Sequence, residues 1–399
     1  RFPSAFKHAL ITPIVKKAGM DAEDVGSYRP ISNLSVLSKL FERIVAKQLM
    51  DYLNSFNLLP VMQSGFRPGH SVETAILRVV ADILAALDRG EFAALVLLDL
   101  SAAFDTVDHA ILLERLHRSF GISGTAHDWF QSYLSGRTQQ VQCGDTSSPV
   151  NTVMCGVPQG SVLGPILFVL YTADLVALIQ RHNLSSHLYA DDTQVYGTCR
   201  PSDVGIMVGR LSDCMDDIAS WMAANRLQLN TGKSELLWCH TSSRACQPVP
   251  LHVGADVITP TAVVRDLGLY LDSGMTFSHQ IGLTVSRCFG TLRQLRSVRR
   301  YVTTPVFQSL VVALVLNRLD FGNSLYVGLP ANQLRRLQSV QNAAARLVFG
   351  LRRSEHICDA LICLHWLRVP ERITFKVAAL ASWAIHGQAP TYLSTFTSV

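Results

Sequence analysis

Apolar residues recur along this chain with two different periods. At helical spacing, Leu37, Leu40, Phe41, Ile44, Val45, Leu49 and Leu53 predict a helix over 37–53. A second helix is expected over 71–88, capped by Ser71 or His70 after a polar turn. The run Ala93-Ala94-Leu95-Val96-Leu97-Leu98 is short, unbroken and ends at Asp99, which predicts a central strand buried on both faces. Helices are expected at 108–119 and 124–134, then a hairpin from 139–143 and 151–154. Gly164-Pro165 opens a strongly apolar helix, Pro165 suiting its first turn. Short strands at 187–189 and 193–196 flank Asp191-Asp192, and a helix over 204–224 ends at Asn225. Further strands are expected at 236–239 and 266–272. Beyond 278 the pattern is helical throughout, with amphipathic stretches at 279–300, 305–319, 331–349 and 370–386.

Composition narrows the class. Of 399 residues, 48% are apolar and 16% charged, which excludes a disordered chain, and 25 Gly with 16 Pro excludes collagen-like or linker-like sequence. No uninterrupted apolar run approaches the ~18 residues of a membrane helix, so no membrane partner is expected. No signal-peptide pattern opens the chain, which points to an intracellular protein of the nucleus, the cytoplasm or both. Residue 1 is Arg, as in a piece of a longer product. The nine cysteines, Cys246 among them, are scattered and form no CxxC, which suits reduced thiols. His356, Cys358, Cys363 and His365 could ligate zinc, but a single helix over 355–367 would keep them from converging on one tetrahedron.

Charge changes the picture more than its total of +5 indicates. Between Asp272 and Glu355 the only acid is Asp320, while Arg287, Arg293, Arg296, Arg299, Arg300, Arg318 and others accumulate. Such a stretch is an electrostatic footprint for a phosphate backbone, or a solvated helix face. The composition shift near 272 marks the best boundary. Lys233 is the only lysine between Lys47 and Lys376, in a segment otherwise served by arginine. Unlike arginine, lysine can give up a proton when its surroundings lower its pKa.

The chemistry concentrates on three carboxylates. Asp99 ends an apolar strand, and Asp191 and Asp192 share a tight turn between two others. Neighbours on a regular strand face opposite ways, so an Asp-Asp pair serves one site only where a turn re-aims one of them. A lone Asp after a strand is usually a cap or turn residue. Three from adjacent strand ends could instead hold two Mg²⁺ ions, Mn²⁺ being the other possible metal. Such a pair clamps the attacking and leaving oxygens of a phosphoryl displacement.

The motifs around these residues resemble those of reverse transcriptases. Leu98-Asp99-Leu100-Ser101-Ala102-Ala103-Phe104-Asp105 is similar to motif A, Gly156-Val157-Pro158-Gln159-Gly160-Ser161 to motif B, and Tyr189-Ala190-Asp191-Asp192 to motif C. Tyr28-Arg29-Pro30-Ile31-Ser32 and Gln63-Ser64-Gly65-Phe66-Arg67 resemble fingers motifs. Leu227 to Glu235 resembles motif D, and Leu267 to Asp272 the primer-grip segment. The tail is similar to the region C-terminal to the polymerase core in LINE-type, non-LTR retrotransposons. The resemblance implies an α+β right-hand polymerase fold. Fingers and palm, an antiparallel sheet with packed helices, would occupy 1–272, and an α-helical thumb-like region 273–399.

It also implies roles, residue by residue. Asp99, Asp191 and Asp192 would bind the metals, with the Leu100 carbonyl as a further ligand. Phe104 would be a steric gate against a ribose 2′-OH. Gln159 and Gly160 would pack against nucleotide and template. Arg29 and Arg67, with Lys39 a weaker candidate, would grip the triphosphate. Lys233 would protonate departing pyrophosphate, and Arg293, Arg296, Arg299 and Arg300 would hold the duplex. The implied partners are an RNA template, a DNA primer and dNTPs, in retrotransposon replication. RNA-dependent RNA polymerases and group II intron maturases share the palm; Phe104 and the Ala190-Asp191-Asp192 turn argue against a viral RNA polymerase, the tail against a maturase. An inactive or decayed palm kept as a nucleic-acid-binding module predicts lost carboxylates, and all three are present.

Overall fold

A computed structural model describes residues 1–17, 19–241, 247–254 and 256–396; Cys246 lies outside the described residues. Strands β1 (His8–Val15) and β2 (Tyr28–Asn33) form an antiparallel hairpin. Helix α1 (Val36–Ser55) comes next, its N-terminus capped by Ser35, then α2 (Val72–Asp88), where Ser71 and Thr74 close a reciprocal capping box. Each such cap satisfies N–H groups that the first turn leaves unbonded, worth about 1 kcal/mol. Strand β3 (Phe92–Leu98) leads to α3 (His109–Arg118), α4 (Gly124–Leu134) and β4 (Thr138–Cys143). β4 joins β1 in parallel, so the first sheet draws together segments 130 residues apart. The expected hairpin survives as a short pairing of β4 with Asn151–Thr152.

Helices α5 (Leu163–Tyr171) and α6 (Asp174–Arg181) precede β5 (Ser185–Tyr189), β6 (Asp192–Cys199), α7 (Val204–Ala224) and β7 (Glu235–Cys239). By length and composition Leu163–Arg181 could cross a membrane, with a mean hydropathy of 1.8; 72% of it is buried inside the protein. The central sheet runs β7-β3-β6-β5, antiparallel throughout. Its strands alternate between two cores. Ala94, Val96, Leu98, Val195, Leu236 and Trp238 face a cluster containing α3, α5 and α7. Ala93, Leu95, Tyr196, Leu237 and Cys239 face a cluster built from α2 and the C-terminal third. Burial on both faces is why β3 reads as an unbroken apolar run.

The segment expected as one strand over 266–272 is a hairpin, β8 (Val263–Asp266) and β9 (Leu269–Asp272). Leu267 and Gly268 both take positive φ and turn the chain there. Four helices then match the expected pattern in part: α8 (Ser278–Val298), α9 (Thr304–Val311), α10 (Ala331–Phe349) and, after α11 (Cys358–Cys363), α12 (Val369–Ile385). The continuous helix expected over 305–319 is interrupted by a π turn at Val312–Leu316. The helix expected over 355–367 shrinks to α11, because His365 takes φ 54° and cannot continue it. One of the four zinc candidates is otherwise engaged, Arg368 donating to Cys358 Sγ at 3.2 Å. The last helix, α13 (Thr391–Ser394), packs on α2.

Candidate active site

β3 and β6 are paired in register to Leu98↔Thr193, and β5–β6 close at Tyr189↔Asp192. That pairing alone brings Asp99 alongside Asp192. Between Tyr189 and Asp192 stand only Ala190 and Asp191, and Ala190 adopts φ 59°. The chain therefore turns between the two strands at the Asp191-Asp192 pair, as a pair serving one site requires. The three carboxylates feel one another's charge. Burial first, then Asp191 and Asp99, push Asp192 up to about 6. Asp191 is raised by burial and by Asp99, with Arg29 opposing.

Among the described residues no three Asp, Glu, His or Cys side chains are already drawn into a chelating cage. The donor set nevertheless fits hard divalent cations: all three candidate donors are carboxylates, and two of them are raised by burial and by like charge. Lys233 reaches Asp99, Nζ to Oδ2 at 3.3 Å, and Arg29 acts on Asp191. Asn230 N–H donates to the Asp99 carbonyl at 2.9 Å, and Leu100–Ser101 pairs with Gln228–Leu229, so the Lys233 loop is laced to the Asp99 strand end.

The turn at 155–161 is held against two other segments. Gly156 N–H donates to Val107 O at 2.7 Å, Val157 N–H to Phe104 O at 2.8 Å, and Ser32 N–H to Gln159 O at 2.8 Å. A Cβ on Gly160, at φ 111°, would stand 2.8 Å from Ser32 O, so only glycine lets β2 approach. Gln159 Nε2 donates to Asp105 Oδ2 at 2.8 Å. Both line a cavity of about 450 Å³ with Pro30, Ser32, Lys7 and Met154. Phe104 is half-buried, its ring 4.7 Å from that of Phe168.

A sequence profile described as Reverse transcriptase (RNA-dependent DNA polymerase) matches residues 14–255. The chain belongs to the reverse transcriptase family. It is 31% identical over 360 residues to the Probable RNA-directed DNA polymerase from transposon BS of Drosophila melanogaster, covering 87% of this chain and 39% of that protein. It is 27% identical over 358 residues to the RNA-directed DNA polymerase from mobile element jockey of the same fly, covering 88% and 38%. The chain therefore spans about two fifths of these non-LTR retrotransposon relatives. Apo telomerase from Candida tropicalis shares the fold, with a TM-score of 0.50 at 14% identity over 90% of this chain and 58% of that one.

In this reverse transcriptase the expected residues fall into two groups. Asp99, Asp191, Asp192, Lys233 and Arg29 converge, while Gln159 and Gly160 lie in the 155–161 turn that Phe104 backs. Arg67 stands apart: its Nη1 donates to Pro60 O at 2.7 Å and Gln63 O at 3.1 Å, so its charge braces a loop. Arg299 is likewise turned inward, donating to Thr304 Oγ1 and Val348 O and lying over the Phe307 ring, whereas Arg293, Arg296 and Arg300 are exposed.

Sequence reasoning missed three contacts. Gln63 bonds the turn at Ala190. Asp266, buried and pushed up to about 7 by that burial, takes both its hydrogen bonds from Gln194 Nε2, two residues beyond Asp192. Tyr392 reaches Ser64 from the far end of the chain. For the first, Gly65 was the available signal, since a glycine lets another backbone approach closely; the other two leave no local trace.

Proposed function

We propose that the chain is an RNA-templated DNA polymerase that transfers a nucleotide from a dNTP to a primer 3′-OH during retrotransposon replication in the nucleus, the cytoplasm or both. The observation that carries this reading is the convergence of Asp99 with Asp191 and Asp192 through strand register, with Lys233 on Asp99. Asp99, Asp191, Asp192 and the Leu100 carbonyl would hold two Mg²⁺ ions. Bound there, such ions neutralise charge on the attacking and leaving oxygens of an in-line displacement.

The remaining work belongs to the chain. Arg29 lies beside the carboxylates where a triphosphate would end, and offers paired donors to phosphate oxygens. Lys233 holds its Nζ next to Asp99, in place to donate to pyrophosphate. Phe104 fills the space a 2′-OH would need, and Gln159 with Gly160 forms a wall against base and template. Residues 1–272 supply fingers and palm. The exposed arginines of 273–399 would hold the RNA template and DNA primer by their phosphates.

Primer extension on poly(rA)/oligo(dT) tests this reading. Incorporation of dTTP well above UTP is expected with Mg²⁺. No extension under any divalent metal would overturn it and favour an inactive palm that only binds nucleic acid.

A further inference from the structure

The turn that presents Asp191 is built from unfavourable material. In a two-residue hairpin turn with positive φ at its first central position, glycine is the usual occupant. Here that position is Ala190, at φ 59°. An L residue resists this conformation because its Cβ crowds the backbone, and alanine has no polar side chain to compensate. Something outside the hairpin has to hold it.

The segment 62–65 does so. Leu188 N–H donates to Met62 O at 2.8 Å and Ser64 N–H to Leu188 O at 2.8 Å, which lays this segment parallel to β5. The Gln63 side chain, 1% exposed, then reaches the turn itself. Its Oε1 accepts from Ala190 N–H at 3.0 Å and Gly65 N–H at 2.7 Å, and its Nε2 donates to Ala190 O at 3.4 Å. Both backbone polar groups of Ala190 are thus claimed by one amide. Gly65 makes room: a Cβ there would lie 2.3 Å from the Ala190 nitrogen.

We propose that Gln63 is a positioning residue, which holds Ala190 in its left-handed conformation and so keeps the Asp191 carboxylate aimed at the metal site. It touches neither substrate nor reacting atoms. The motif Gln63-Ser64-Gly65 is on this view a clasp on the catalytic turn rather than a nucleotide contact. Its support continues outward: Ser64 Oγ bonds His187 Nε2 and Tyr392 OH, each at 2.9 Å, and Tyr392 OH donates to Thr74 Oγ1 at 3.1 Å. The inference rests on the polymerase reading only for its activity readout.

The test compares wild type, Gln63→Met and the double variant Gln63→Met/Ala190→Gly in the full chain. Methionine fills the same volume without the amide, and glycine adopts positive φ without strain. Mn²⁺ affinity is measured by electron paramagnetic resonance without substrate, and single dTTP addition on poly(rA)/oligo(dT) alongside. Gln63→Met is expected to weaken Mn²⁺ binding about ten-fold and lower kcat about ten- to a hundred-fold, an effect of the size expected from a misplaced metal ligand. Its KM for dTTP and its duplex affinity should stay within about two-fold, because binding contacts and chemistry are separate losses. The double variant should regain most of the lost metal affinity and kcat. A merely structural glutamine would instead give earlier melting with unchanged Mn²⁺ affinity and kcat, and no rescue by glycine; that result overturns the proposal. If Gln63→Met does not fold, Gln63→Asn, too short to reach Ala190, replaces it with the same expectations. If wild type extends no primer, the polymerase reading fails while the Mn²⁺ comparison still decides the clasp.

Discussion

Asp191 sits where backbone geometry, charge and chemistry meet, so a change that keeps its shape and removes its charge is informative. Asp191→Asn is expected to lower primer extension by about 10³-fold or more, since several kcal/mol of transition-state stabilisation go with one ligand of a two-metal site. Its fold should survive, because the substitution also relieves repulsion on Asp192. Parallel extension and melting measurements check both halves. Phe104 carries a different burden. Replacing it by Val should narrow the preference for dTTP over UTP, measured as a ratio of kcat/KM, by opening space at the 2′ position; an unchanged ratio would leave Phe104 as a partner for Phe168 alone. These residues were legible in the sequence because each belongs to a local motif and the motifs fall in a fixed order. Gln63 was legible as a residue but not in its role. Its partner, Ala190, is 127 positions away, and only strand register brings the two together.

Elements were read well where a period was long and pure. α1, α2, α7 and α10 begin and end within a few residues of expectation, since apolar spacing is sustained in each, Ser35 and Ser71 cap the first two, and Gly350 ends α10. The failures share a cause: backbone events that periodicity does not record. Positive φ at Leu267 and Gly268 folds one expected strand into β8 and β9, a π turn divides the helix after α9, and His365 stops α11. The arginines at the end of α8 show the same limit at side-chain level, for neighbours in sequence have opposite fates. Arg296 and Arg300 are exposed, while Arg299 is bonded to the start of α9 and the end of α10. Replacing Arg293, Arg296 and Arg300 together should weaken duplex binding across sequences and flatten its salt dependence by about one unit of slope per lost phosphate contact. Arg299→Ala should leave that slope unchanged and lower the melting temperature instead, through lost carbonyl bonds and lost packing on Phe307. Salt titrations of duplex affinity, paired with thermal melts, separate the two.

At the scale of the molecule, the composition boundary near 272 is a change of surface chemistry rather than a gap in the core. Val264, Leu269 and Leu271 pack with Ile281, Leu292, Phe307 and Leu337 in the same cluster that covers Ala93, Leu95 and Leu237. Fragment 1–272 is therefore expected to expose one face of its central sheet and to lose a cooperative thermal transition; a sharp melt from that fragment would show a palm able to fold alone. Lys376 reinforces the join, reaching Glu73 Oε2 and Asp320 O. A long tie is the Tyr392 hydroxyl on Ser64, which spans 328 positions. Contacts so distant in sequence are late events in folding, because the intervening chain must first be ordered. On the ribosome, Ser64 emerges long before Tyr392 is synthesised, at about 5–20 residues per second. The nascent polypeptide thus carries an unfinished brace under the Ala190 hairpin until Tyr392 has been synthesised and has cleared the ribosome.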